Sequence, residues 1–216
     1  MKLLLCLALG VSSALSQTAN IETCAGCHGP HGEGNAATGA PRLAGQPQIY
    51  LERQLDAYAN GRRFNDVMVP IARGLTAADR AQLAALYANL DAPSDSKRSA
   101  DNARGRTLAT LGDETLHVQA CENCHGPGGT GFGGVTPYLA GFDARYLETA
   151  LREWKESRRN TDPAGIMPLI AQQLTDGDIK ALAAHYSSLP PPGRLQIARK
   201  PASQAAEKTH PSADGR

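Results

Sequence analysis

"CAGCH" (24–28) and "CENCH" (121–125) decide how this chain is read. The same pattern, cysteine-x-x-cysteine-histidine, stands twice in a 216-residue chain that has only five cysteines. The fifth, Cys6, lies in the first sixteen residues, "MKLLLCLALGVSSALS". That stretch has one lysine, an apolar run from Leu3 to Val11 and a small-residue end at Ala14-Leu15-Ser16. It reads as a signal peptide, 1–16, since its apolar run is too short to span a bilayer. The expected location is therefore the periplasm. Once the signal is removed, all remaining cysteines belong to the two motifs.

In an exported protein, four cysteines would ordinarily suggest two disulfides. The histidines point elsewhere, because CxxCH is the attachment signature of c-type haem. Two cysteines three apart share one side of a helical turn, so both sulfurs reach the vinyl groups of one porphyrin as thioethers. The histidine that follows presents a ring nitrogen to the iron. Cys24 and Cys27 are thus expected to tether one haem, with His28 as its axial ligand. Cys121, Cys124 and His125 are expected to do the same for a second. Two CxxC pairs could also hold a structural zinc, but they lie far beyond the usual spacing. A thioredoxin-like pair would need a βαβ pattern, and none is visible.

Met68 and Met167 are the only methionines after Met1. They follow their histidines by 40 and 42 residues respectively. A soft thioether on the second face would close each haem and favour ferrous iron. With both irons closed, a peroxidase-type enzyme, which needs an open coordination position, is disfavoured. No residue is assigned acid–base or nucleophilic work.

The halves match beyond the motifs. "PRLAG" (41–45) repeats as "PYLAG" (137–141), and "IYLERQLDAYANGRR" (49–63) as "RYLETALREWKESRR" (145–159). "MVPIARGLTAADRAQLAALYANL" from Met68 repeats as "MPLIAQQLTDGDIKALAAHYSSL" from Met167. Apolar stripes at helical spacing run through Ile49, Leu51, Leu55 and Tyr58, through Leu83, Leu86, Tyr87 and Leu90, and through Ile179, Leu182, Tyr186 and Leu189. Thr76 with Asp79, and Thr175 with Asp178, form helix-start signals. Alternating strand patterns are absent. The expected fold is all-α: two tandem cytochrome c-type domains, 17–92 and 106–190, each a few helices wrapped around a haem. A linker, 93–105, joins them. With only three Phe, six Tyr and one Trp, the porphyrins are expected to supply apolar bulk that the side chains lack.

Arg62-Arg63 and Arg158-Arg159 recur at matching positions, as do Tyr50 and Tyr146. Each pair is suited either to haem carboxylates or to packing and solvent. Trp154 takes the place of Tyr58 and is expected to pack. His31, His117, His185 and His210 belong to no motif.

The formal charge of +1 gives no nucleic-acid footprint. Residues 17–92 carry six basic and seven acidic side chains, and residues 93–190 carry ten and twelve. Residues 191–216, a proline-led tail without periodicity, carry five and two. This basic tail reads as disordered, either a solubilising extension or a segment that touches anionic lipid or an acidic partner.

Two CxxCH halves, each with P-x-L-A-G and Met…L-T-x-x-D-x-x-x-L-A-A, resemble the dihaem cytochrome c4 family over roughly residues 20 to 190. The resemblance implies two c-type haems close enough to exchange electrons. It also implies an exported carrier that takes electrons from a quinol-oxidising complex or a dehydrogenase and serves a terminal oxidase. The haem subunit of flavocytochrome c sulfide dehydrogenase is a similar dihaem protein, so a fixed dehydrogenase subunit is the alternative. The chain departs from the family in a short lead before Cys24, a longer lead before Cys121 and the basic tail.

Overall fold

The structure, a computed structural model, describes residues 21–91 and 100–193. The signal peptide, most of the linker and the tail beyond 193 lie outside the described residues. No helix among those described is long and apolar enough to cross a membrane.

The first half comprises α1 (Ile21–His28), α2 (Gln48–Ala59), α3 (Met68–Arg73) and α4 (Ala77–Ala88). The second comprises α5 (Ala103–Thr110), α6 (Glu122–His125), α7 (Ala144–Lys155), α8 (Ile166–Gln173) and α9 (Asp176–Ser188). Motif-bearing α1 and α6 correspond, as do α2 and α7, α3 and α8, and α4 and α9. Among the described residues β-structure is limited to isolated bridges. The packing is helix on helix: α2 against α3 and α4, and α9 against α5 and α7.

Local chemistry sets the helix starts. Thr76 accepts from the Asp79 N–H at 3.1 Å, and the Asp79 carboxylate accepts from the Thr76 N–H at 2.9 Å. Thr175 and Asp178 build the same reciprocal box at the head of α9. Asn102 caps α5 through the Gly105 N–H at 3.0 Å, so helix begins inside the stretch read as a linker. Gly105 also permits the α5–α9 crossing, since a Cβ there would stand 2.0 Å from the Ala181 carbonyl oxygen.

The second half has the larger core, with Leu108, Tyr138, Leu174, Ile179, Leu182 and Tyr186 fully or nearly fully buried. In the first half the buried cluster is Leu51, Ala84 and Tyr87. Two residues of the expected stripes are exposed: Ile49 at 51% and Leu86 at 37%. The repeat mate of Leu86 is His185, which is buried with its Nδ1 2.8 Å from Asp101. That position is covered by the segment leading into α5, and the first half has no described counterpart to α5.

Candidate functional site

Each motif ends its helix at a histidine, and the chain then folds back beneath it in the same way twice. The Gly34 N–H donates to the His28 carbonyl and the Gly131 N–H to the His125 carbonyl, both at 2.7 Å. Gly32 and Gly129 follow at φ of 70° and 66°. A Cβ at either would come within 2.8 Å of the Tyr87 ring or 2.5 Å of the Tyr186 ring, so left-handed backbone and close approach both require glycine. The returning loop carries a proline whose carbonyl meets the imidazole: His28 Nδ1 lies 2.7 Å from Pro41 O, and His125 Nδ1 lies 2.8 Å from Pro137 O.

A carbonyl only accepts, so Nδ1 carries the proton in both rings and Nε2 keeps its lone pair. Burial pushes both imidazole pKa values down, which favours the neutral ring a metal ligand requires. Burial likewise pushes the Cys24 and Cys121 thiols up, Cys121 to about 11. Of the four motif cysteines, Cys24 and Cys121 are half-buried and Cys27 and Cys124 exposed.

The second half holds a cavity of about 430 Å³, within the roughly 300–1,000 Å³ typical of cofactor sites. Cys121, Cys124, His125 and Met167 all line it, between walls built by Leu139, Phe142, Leu147, Leu174 and Leu182. The sequence-expected donors of the second half thus share one apolar cavity. This donor set suits a tethered haem: two thiols on one side, a neutral imidazole held by its outer nitrogen, and a thioether opening a helix. Met167 N–H donates to Asp162 at 2.8 Å, and Met68 N–H donates to Asn65 at 2.9 Å, so both methionine turns are held from upstream. In the first half Cys24 packs beside Leu51 and Tyr87, His28 is buried, and Met68 opens α3.

The second cavity is completed from the other half. Gln46, Tyr50, Arg53 and Gln54 of the first domain line it. Across this boundary Tyr138 donates to the Ala44 carbonyl and Gln46 donates to the Tyr138 carbonyl. Arg145 donates to the Ala36 carbonyl. Arg63 and Arg159 form an antiparallel bridge, reinforced by the Asn160 N–H on Arg62 O at 2.7 Å. Of the two arginine pairs, only the second member of each is buried, with Arg63 3% and Arg159 5% exposed. Tyr50 accepts from Arg159 at 3.0 Å. The positive charges of Arg63 and Arg159 draw the Tyr146 pKa down against the upward push of burial. Trp154 is buried, as expected, with Arg159 over its ring.

The sequence profile of the family Cytochrome c matches residues 14–91 and 103–190. The chain belongs to the cytochrome c family. It is 40% identical to a thiosulfate dehydrogenase electron acceptor of Thiomonas intermedia, over 78% of this chain and 79% of that one. It is 32% identical to cytochrome c4 of Thiocapsa roseopersicina, over 77% and 86%. Among solved structures, reduced recombinant cytochrome c4 from Pseudomonas stutzeri superposes with a TM-score of 0.70 at 28% identity, covering 78% of this chain and 94% of that one. Thiosulfate dehydrogenase (TsdBA) from Marichromatium purpuratum gives a TM-score of 0.73 at 38% identity over 82% of this chain. The match spans only 39% of that longer chain. Two tandem cytochrome c domains, as in dihaem cytochrome c4, carry two covalently bound haems c, and the chain is a dihaem electron-transfer cytochrome.

Proposed function

We propose that Cys24, Cys27, His28 and Met68 hold one haem and that Cys121, Cys124, His125 and Met167 hold the other. The observation that carries this is the apolar cavity on which Cys121, Cys124, His125 and Met167 converge, and the repeat extends it to the first set. The bound groups supply one-electron redox chemistry. The chain would hold each haem through two cysteine sulfurs, an imidazole fixed through Nδ1 and a methionine thioether. With an imidazole and a thioether available to each haem, the chain would work as a carrier rather than an enzyme.

The proposed location is the periplasm, reached through the signal peptide 1–16. The proposed donor is a periplasmic dehydrogenase of the thiosulfate dehydrogenase kind, a reading favoured by the 40% identity to such an enzyme's electron acceptor. The proposed acceptor is a terminal oxidase of a respiratory chain. Joining two haem domains in one chain raises the effective concentration of one at the other, so internal transfer does not wait on diffusion.

The test has two parts. The mature chain, made with a haem-ligation system, is expected to weigh the polypeptide plus two haems. In stopped flow its oxidised form is expected to be reduced by thiosulfate dehydrogenase and thiosulfate, and not by thiosulfate alone. A mass lacking both haems sinks the site assignment. Two haems without reduction sinks the donor.

A further inference from the structure

The domain boundary is pseudo-symmetric in its arginines and asymmetric in their partners. Arg63 and Arg159 occupy the same place in the repeat and stack on matched rings, Arg63 over Tyr58 at 4.9 Å and Arg159 over Trp154 at 4.6 Å. Arg63 meets the Glu153 carboxylate at 3.0 Å through both Nε and Nη2. Arg159 donates to the Tyr50 hydroxyl at 3.0 Å, the Gln54 side-chain carbonyl at 2.8 Å and the Thr161 hydroxyl at 3.0 Å. These partners are all neutral. Gln54 Oε1 stands between the two guanidiniums, accepting from Arg63 as well at 3.1 Å. The repeat mate of Glu153 is Ala57, so the second half has a carboxylate for the first half's arginine and nothing is returned.

We propose that Glu153 makes the electrical surroundings of the two haems unequal: it gives Arg63 a carboxylate partner, whereas the hydrogen-bond partners of Arg159 are neutral. The inference rests on the haem assignment given above. Arg159 lines the cavity of His125 and Met167, whose wall also carries Arg53 and Asp162, and Arg63 holds the matching place in the first half. A ferric haem carries one more positive charge than a ferrous one, so a cation at the cavity wall favours the reduced form and a carboxylate paired with that cation offsets it. Glu153 is 6% exposed and both arginines are as deeply buried, so solvent screens these charges far less than it screens exposed Arg62 and Arg158. Each haem c brings the same kind of carboxylates, so the inequality argued here lies in the protein's own charges. Glu153 acts through Arg63 and is a positioning residue, not a ligand.

The experiment uses the full-length, haem-loaded protein, with intact mass first confirming two haems. Each haem is then titrated separately by following its own paramagnetically shifted NMR signals against potential. Glu153→Gln keeps the shape and removes the charge. It is expected to raise the first haem's potential relative to the second, changing the electron distribution between them about tenfold, which is about 59 mV. Glu153→Asp keeps the charge and is expected to leave the gap near that of the parent. Thr161→Asp offers Arg159 a carboxylate without disturbing Glu153, and is expected to lower the second haem's potential relative to the first. Should Glu153→Gln move both potentials together, or Glu153→Asp move them as far as Glu153→Gln, Glu153 is only domain glue and the proposal fails. It fails also if Thr161→Asp lowers both haems equally. A protein weighing less than two haems instead removes the underlying assignment.

Discussion

Tyr138 gives its hydroxyl proton to the Ala44 carbonyl at 2.6 Å, and takes the Gln46 amide on its own backbone carbonyl at 2.9 Å. The three residues are 2%, 0% and 1% exposed, so one tyrosine is locked reciprocally into the other domain. Tyr138→Phe preserves the ring and strands the Ala44 carbonyl without water, at a cost of about 1–3 kcal/mol. Urea denaturation of the haem-loaded protein is expected to show that loss. An unchanged midpoint would mean that the Tyr138 hydroxyl adds nothing to the docking of the two domains.

Met167→Ala is expected to lower the potential of the second haem and abolish the far-red band of its methionine-ligated ferric state, leaving the first haem close to its parent value. Met68→Ala is expected to act on the first haem in the same way. The separation follows from the cavity, whose wall includes Met167 and not Met68. Redox titration with visible spectroscopy reads both effects. Equal changes at both haems in either variant would contradict the assignment of each methionine to its own half.

What could be read in the sequence was whatever the repeat states twice. The motifs, the methionines, the Thr–Asp helix starts and the matched arginines recur in the same order, and the structure gives the helix starts and both histidine–proline contacts the same geometry in each half. What could not be read was where the halves differ or touch. Glu153 attracts no notice beside Ala57 until α7 is laid against the first domain. His185 looks like a stray histidine beside Leu86 until the segment holding Asp101 covers it. Nothing in periodicity separates Arg62 from Arg63, because burial of the second comes from docking between domains rather than from its own helix.

Gly105→Ala adds one methyl group where α5 crosses α9. The built Cβ would meet the Ala181 carbonyl oxygen at 2.0 Å and the His185 Cβ at 2.8 Å. Neither can withdraw without moving α9, so the substitution is expected to cost about 1–3 kcal/mol despite alanine's better helix propensity. Thermal denaturation of the holoprotein reads the loss. A gain in stability would mean that the two helices separate freely at this point.

The same helix pair should weaken in acid, through Asp178. Its carboxylate closes the capping box with Thr175 and accepts from Arg104 Nε at 2.8 Å. Arg104 also reaches Asp113 at 2.8 Å, so one guanidinium ties α5 to the head of α9 and to the loop beyond α5. Burial pushes the Asp178 pKa up, but the hydrogen bonds from Thr175 and Arg104 outweigh it and the net shift is downward. The folded value therefore lies below the unfolded value of about 3.9. A depressed carboxylate contributes stability that is fully present above the unfolded pKa and drains away as pH falls through the folded one. Asp178→Asn cannot titrate, though its amide oxygen still accepts hydrogen bonds. The stability gap between parent and variant is thus expected to be widest near about pH 6 and to shrink toward about pH 3. Asp113, held down at about 2 mainly by Thr115 and Arg104, titrates in both proteins and largely cancels from the difference. Urea midpoints at the two pH values decide the matter. A gap that stays constant would assign the acid sensitivity to some other carboxylate.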